Sequence, residues 1–283
     1  MELNSKKVLD EWKSDLLGVA RARGLFTELR LNIVRVGDRE DSRLYVNNKV
    51  KLGEDLGIKV VVYMVDEDAD QTHLNELMQS FKTPTILQLP IPKHLNHKEA
   101  IEHLDYRLDV DGLSIMQKGM LADGRKDAML PATALGVVKL IESYCDITGM
   151  KVVIVNRSEL IGEPLSKLIL QRNGYPVVLH SKVIPYDLRQ EMRSADVIVT
   201  GCGKRAIFDS SFAGDDKQLI IDCSMERVDG ITGVGDFNKL DVLRETNCTI
   251  ASGYGHTGPA TVLGLMHNVL SYYTRDIFGN KEW

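Results

Sequence analysis

No stretch of the 283-residue chain approaches the roughly 18 unbroken apolar residues that a membrane span requires. The first residues, Met1 to Lys7, lead into charged, periodic sequence rather than an apolar signal core, so no export signal is expected. Cysteine is scarce: Cys145, Cys202, Cys223 and Cys248 form no CxxC pair and no zinc spacing. They read as reduced thiols, with no metal site, in a cytoplasmic protein. An excess of positive charge is also missing. The net charge of -5 excludes an overall basic field for nucleic acid or anionic membrane. No GxGxxG fingerprint follows any strand-like run.

What remains is a chain of ordinary globular composition, with 43% hydrophobic and 27% charged residues. Helical and β-branched segments alternate along it. Helical spacing covers 5–23, 42–56, 72–81, 160–173, 186–194 and 258–275, and Pro131 opens a helix running to about Tyr144. Strand-like runs cover 29–36, 60–65, 85–89, 151–155, 177–179, 196–199, 219–222 and 249–251. Such alternation predicts parallel sheets covered by helices, and the later five strands predict a Rossmann-like unit. The polar, glycine-bearing stretch at 113–130 reads as the boundary. The expected fold is therefore α/β in two domains with a cleft between them. An N-terminal α/β catalytic domain takes 1–118 plus the C-terminal segment 258–283, and a nucleotide-binding domain takes 119–257.

Phosphates favour helix N-termini, and Gly162 at the start of the 160–173 helix would let a backbone come close. An NAD enzyme places an acid at the end of its second strand. Here that strand ends in His180-Ser181-Lys182, and Arg157 and Ser158 follow the first. A guanidinium and a hydroxyl with no acid suit the 2′-phosphate of NADP. Gly201 and Gly203 follow the third strand, where a nicotinamide ribose would pass. In the first half, Tyr45 and Lys49 stand four residues apart on one helical face. Short-chain dehydrogenases also use YxxxK, but after their nucleotide motif; here the pair precedes it. Gln88 ends a strand, and Asp109 and Asp111 follow, offering carboxylates to a 2-amino-pyrimidinone edge.

Together these fragments resemble the methylenetetrahydrofolate dehydrogenase/cyclohydrolase family. Its first signature is matched by Val36, Gly37, Ser42, Tyr45, Val46, Lys49 and Lys51, its second by Leu87 to Pro92, and its third by Asp109 to Gly112. Its cofactor signature is matched by Arg157, Ser158, Ile161, Gly162 and Pro164, with His180-Ser181 and Gly235-Asp236 further on. The resemblance implies oxidation of 5,10-methylenetetrahydrofolate with NADP, then hydrolysis of the methenyl product to 10-formyltetrahydrofolate, in one-carbon metabolism and purine biosynthesis. It implies Lys49, Tyr45 and Gln88 as catalytic residues. Asp111, Tyr45, Gln88 and Pro259 would bind folate. Asn156, Arg157, Ser158, Ile161, Gly162, His180, Ser181, Gly201 and Gly203 would hold the cofactor. It also implies a homodimer.

The chain departs from the family at three places. Asn156 stands where the family has glycine, Pro131 to Gly136 reads PATALG, and Ser252 to Thr261 reads SGYGHTGPAT. His256 in that loop is a competing base. Three alternatives fit parts of the pattern: a dehydrogenase without cyclohydrolase, a shikimate-dehydrogenase-like NADP oxidoreductase, and an inactive folate-binding paralogue.

Overall fold

The structure, a computed structural model, describes residues 1–22, 29–214, 217–224, 226–228, 231–253 and 255–278. Arg23 of the first expected helix, Tyr254 of the divergent loop and residues 279–283 lie outside the described residues. The chain divides into two compact units. One comprises Trp12–Ala132 and the chain from Val262 onward; the other comprises Met1–Glu11 and Thr133–Thr261. Each is an α/β layer structure built on a parallel sheet.

The first unit runs α1 (Ser5–Ala22, shared with the second unit), β1 (Arg30–Val36), α2 (Glu40–Asp55), β2 (Lys59–Val65), α3 (Gln71–Ser80), β3 (Thr85–Leu87), α4 (His97–Glu102) and α5 (Ile115–Ala122). Its strands lie in the order β2-β1-β3. The central strand β1 buries Leu31, Ile33, Val34 and Val36, as expected for a strand covered on both faces. Asp70 caps α3 by accepting from the His73 N–H at 2.8 Å, which fixes where the helix starts. Leu74 and Met78, four residues apart, then face Val34, Val36 and Leu87 in the core. Each such side chain stabilises the fold by about 1.5–3 kcal/mol.

The stretch read as a polar boundary is a helix within this unit. The Gln117 amide is fully buried; it donates to the Tyr106 carbonyl at 2.7 Å, and its oxygen accepts from the Met129 N–H at 2.7 Å. Its polarity serves two loop backbones rather than solvent. The division between units falls instead inside α6 (Ala132–Glu142), between residues 132 and 133, and again between 261 and 262.

The second unit continues with β4 (Lys151–Val155), α7 (Gly162–Gln171), β5 (Tyr175–Leu179), α8 (Pro185–Arg193), β6 (Val197–Thr200), β7 (Leu219–Asp222), the antiparallel hairpin β8 (Glu226–Val228) and β9 (Ile231–Val234), α9 (Lys239–Glu245), β10 (Thr249–Ser252) and the start of α10 (Thr257–Phe278). Its five parallel strands lie in the order β10-β7-β6-β4-β5. By its contacts Met1–Glu11 packs with this unit. Leu3 N–H donates to the Ile250 carbonyl and Ile250 N–H to the Met1 carbonyl, so the chain start extends the β10 edge. Residues so close to the N-terminus carry no periodic signal that names a distant edge strand as their partner.

Candidate active site

In the first unit, strand register and one helix gather the polar residues. The Gln88 N–H donates to the Val34 carbonyl at 2.8 Å, just beyond the last paired residues of β1 and β3. Asp109 lies beside Thr85 through an isolated parallel bridge. Lys49 reaches in from α2: its Nζ donates to Gln88 Oε1 at 2.9 Å, and Gln88 Nε2 donates to the Leu89 carbonyl at 2.7 Å. The Gln88 amide is thus oriented with its oxygen toward the lysine. Tyr45 sits one turn before Lys49 and is more exposed.

Charge is compensated within this group. Burial pushes the Lys49 pKa below its ordinary value, and the charge of Asp111 opposes that shift. Burial raises the Asp111 pKa, and Lys49 opposes it. Asp109 accepts from the backbone N–H groups of Asp111 (3.2 Å), Gly112 (3.1 Å) and Ser114 (2.7 Å). Its carboxyl is nonetheless pushed up to about 6, chiefly by burial. Asp109 therefore builds the turn from which Asp111 projects. Gly112 completes it: its φ is +69°, and a Cβ there would collide with the Met129 carbonyl.

In the second unit, three strand ends lie in register. Val155 pairs with Leu179 on one side and Thr200 on the other. Asn156, His180 and Gly201 therefore leave the same carboxyl edge of the sheet side by side, bringing together the residues expected to hold the cofactor. Arg157, Ser158, Ser181 and Gly203 are exposed there, and His180 and Ile161 are half-buried. Pro259 lies in the first turn of α10 in this same unit, whereas Lys49, Tyr45, Gln88 and Asp111 lie in the other.

Asp236, matched in sequence only as part of a signature, shapes this edge together with Ser224, Asp222 and Thr200, which sequence reasoning did not single out. Asp236 accepts from the N–H groups of Cys202 (2.6 Å) and Lys204 (2.9 Å), and Ser224 Oγ accepts from Gly203 N–H at 2.9 Å. Asp222, raised to about 6 mainly by burial, accepts from Ser224 N–H, Phe237 N–H and Ser252 Oγ. An aspartate closing an otherwise apolar strand, as in Leu219-Ile220-Ile221-Asp222, was the available signal. Thr200 Oγ1, at the end of β6, is buried and has no hydrogen-bond partner. An exposed guanidinium and hydroxyl, Arg157 and Ser158, at the carboxyl edge of a parallel sheet fit a dinucleotide carrying a 2′-phosphate.

His256 is not an open base. Its ring nitrogens lie 2.7 Å from Ser5 Oγ and 3.1 Å from Glu2 Oε1, and Glu2 also accepts from Lys239 Nζ at 2.6 Å. Burial lowers its pKa, against the pull of Glu2. Cys202 is equally quiet, its thiol pushed up to about 12 by burial first and by Asp236 second.

Comparison with known proteins gives this geometry a family. Residues 3–111 match the tetrahydrofolate dehydrogenase/cyclohydrolase catalytic domain, and residues 131–277 match the NAD(P)-binding domain of the same family. The bifunctional protein FolD of Acholeplasma laidlawii is 34% identical over 253 residues, covering 87% of this chain and 89% of that protein. The Agathobacter rectalis FolD is 30% identical over 282 residues, covering 97% and 98%. The crystal structure of the Campylobacter jejuni bifunctional FolD superposes with a TM-score of 0.89 at 28% identity, covering 98% of this chain and 99% of that one. With both domains matched in order over nearly its whole length, the chain belongs to the tetrahydrofolate dehydrogenase/cyclohydrolase family.

Proposed function

We propose that the Lys49–Gln88–Asp111 group carries the hydrolytic half of a bifunctional, NADP-dependent reaction. The enzyme oxidises 5,10-methylenetetrahydrofolate to the methenyl form and hydrolyses that to 10-formyltetrahydrofolate, as its family membership supports. NADP, when bound, accepts the hydride released from the methylene carbon. Arg157 and Ser158 would hold its 2′-phosphate, with His180 and Ser181 beside them. Asn156, Ile161, Gly162, Gly201 and Gly203 would form the surrounding loops.

The observation that carries the hydrolytic assignment is the buried Lys49 amine, held at 2.9 Å by Gln88. Burial raises the fraction of neutral amine, the form able to take a proton from water as it attacks the methenyl carbon. Gln88 holds the amine in direction, and Tyr45 lies along the folate one turn away. Asp111 anchors the pterin edge. The reading places the protein in the cytoplasm, in keeping with its free cysteines, and includes the homodimer that the family resemblance implies.

Mixing the protein with methylenetetrahydrofolate and NADP, while following NADPH and the methenyl chromophore separately, tests both steps. NADPH should form with little methenyl compound accumulating. Absence of NADPH sinks the oxidative assignment; NADPH with stoichiometric methenyl accumulation sinks the hydrolytic one.

A further inference from the structure

The place where the chain departs most plainly from its family's cofactor signature is Asn156, and its side chain is fully engaged. Asn156 Nδ2 donates to the Gly201 carbonyl at 2.6 Å. Its Oδ1 accepts from two backbone N–H groups, Ser158 at 2.7 Å and Gly162 at 3.0 Å. One amide thereby ties together the end of β4, the end of β6 and the first residue of α7.

The rest of that helix start is closed as well. Ile161 N–H donates to Ser158 Oγ at 3.3 Å, and Glu163 N–H to the Ser158 carbonyl at 3.0 Å. Pro164 has no N–H, and Leu165 N–H already bonds the Ile161 carbonyl at 2.9 Å. Glu163 places a negative charge in the same first turn. A helix start binds a phosphate through free N–H groups and a favourable dipole. Here each of those donors from Ile161 to Leu165 has an internal acceptor, and the Gly162 donor is held by the residue that departs from the family.

We infer that Asn156 is a positioning residue that occupies the diphosphate-binding donor of α7 and shifts cofactor recognition onto the adenosine 2′-phosphate. The inference rests on the NADP reading above and deepens it. A diphosphate arriving at α7 must displace the Asn156 amide or forgo the Gly162 N–H. The 2′-phosphate meets no such competition at Arg157, whose charge faces solvent. The 2′-phosphate then carries a larger share of the affinity for NADP, while the NADP-to-NAD ratio, in which the shared diphosphate cancels, is set by the contacts of Arg157 and Ser158.

Two fragments separate the contributions. Adenosine 2′-monophosphate carries only the discriminating phosphate, and ADP only the shared diphosphate. Isothermal titration calorimetry on the wild type should give 2′-AMP about tenfold or more tighter than ADP, the advantage of one charge-assisted contact. Asn156→Ala keeps the Cβ and removes the amide. It should tighten ADP by about tenfold, as one N–H is released to a charged acceptor, while 2′-AMP changes by less than about twofold. A merely structural role for Asn156 would weaken both fragments together. The inference is overturned if wild-type protein binds ADP as tightly as 2′-AMP, or if Asn156→Ala leaves ADP unchanged or weaker. The first measurement decides the matter even where the variant folds poorly. A wild type that binds neither NADP nor 2′-AMP overturns the NADP reading, and this inference with it.

Discussion

The two compact units treat their polar groups in opposite ways. Around Lys49 the polar side chains answer one another: the buried amine is held by the buried Gln88 amide and opposed in charge by the half-buried Asp111. Around Asn156 the paired groups are mostly backbone N–H donors, each tied to an asparagine, serine or aspartate, while Arg157 and Ser158 stand in solvent. Buried pairs perturb pKa values and suit proton transfer. Loops locked from within and fringed by an exposed cation suit recognition of an anion whose chemistry is its own.

The sharpest way to break this contrast is to remove the buried amine. Lys49→Met keeps the apolar stem and the packing while deleting the base. Cyclohydrolase activity should fall by about 100- to 10,000-fold, the usual share of general acid–base catalysis, while NADPH formation stays measurable. Methenyltetrahydrofolate should then build up during turnover. Equal loss of both activities would mean that Lys49 serves binding rather than hydrolysis.

Arg157→Ala probes the exposed side. An Arg–phosphate bond contributes about 1.5–3 kcal/mol, so the variant should lose about 10- to 150-fold of the NADP-over-NAD preference in kcat/KM. A preference that survives would mean that His180, Ser181 or Lys182 reads the 2′-phosphate instead. Asp111→Ala should raise the folate KM for both reactions by about 5- to 150-fold, since unsatisfied pterin donors cost about 1–3 kcal/mol. Wild-type folate kinetics in that variant would remove Asp111 from the site.

Much of this arrangement could be read from sequence, for physical reasons that also explain the misses. The strands at 151–155, 196–199 and 219–222 are β-branched runs, and burial on both faces leaves them no other pattern. Tyr45 and Lys49 share a face by helical spacing alone. Spacing says nothing about what an amide does once buried. Gln117 looked like a loop residue and is a fully buried bracket, and Asp109 looked like a second ligand and is the turn that carries Asp111. Asn156 could be marked as a departure, but only the coordinates connect its two ends to Gly162 and Gly201. The contacts of Met1 to Ser5 with residues 248–256 span almost the whole chain, beyond the reach of local periodicity.

Those terminal contacts yield the smallest expected effect and the clearest control. His256 was the rival base, but its two ring nitrogens are spent on Ser5 and Glu2, and it is as little exposed as Lys49. A base so tied has no free lone pair for water, so His256→Ala should leave hydrolysis within about twofold of wild type, far from the loss that removing a true base produces. Its cost should instead appear in stability, about 1–2 kcal/mol for two lost hydrogen bonds. The pH dependence has a definite sign. Because burial holds the folded-state pKa below the ordinary value of 6.5, the neutral imidazole is the folded form. Its contribution is fully present above pH 6.5 and is lost as pH falls through the lowered folded-state pKa. Urea titrations of wild type and His256→Ala should therefore differ at pH 8 and converge on acidification. A gap that widens toward low pH would mean that Glu2 holds His256 as the cation; hydrolysis that disappears with His256 would move the chemistry from the Lys49 enclosure to the divergent loop.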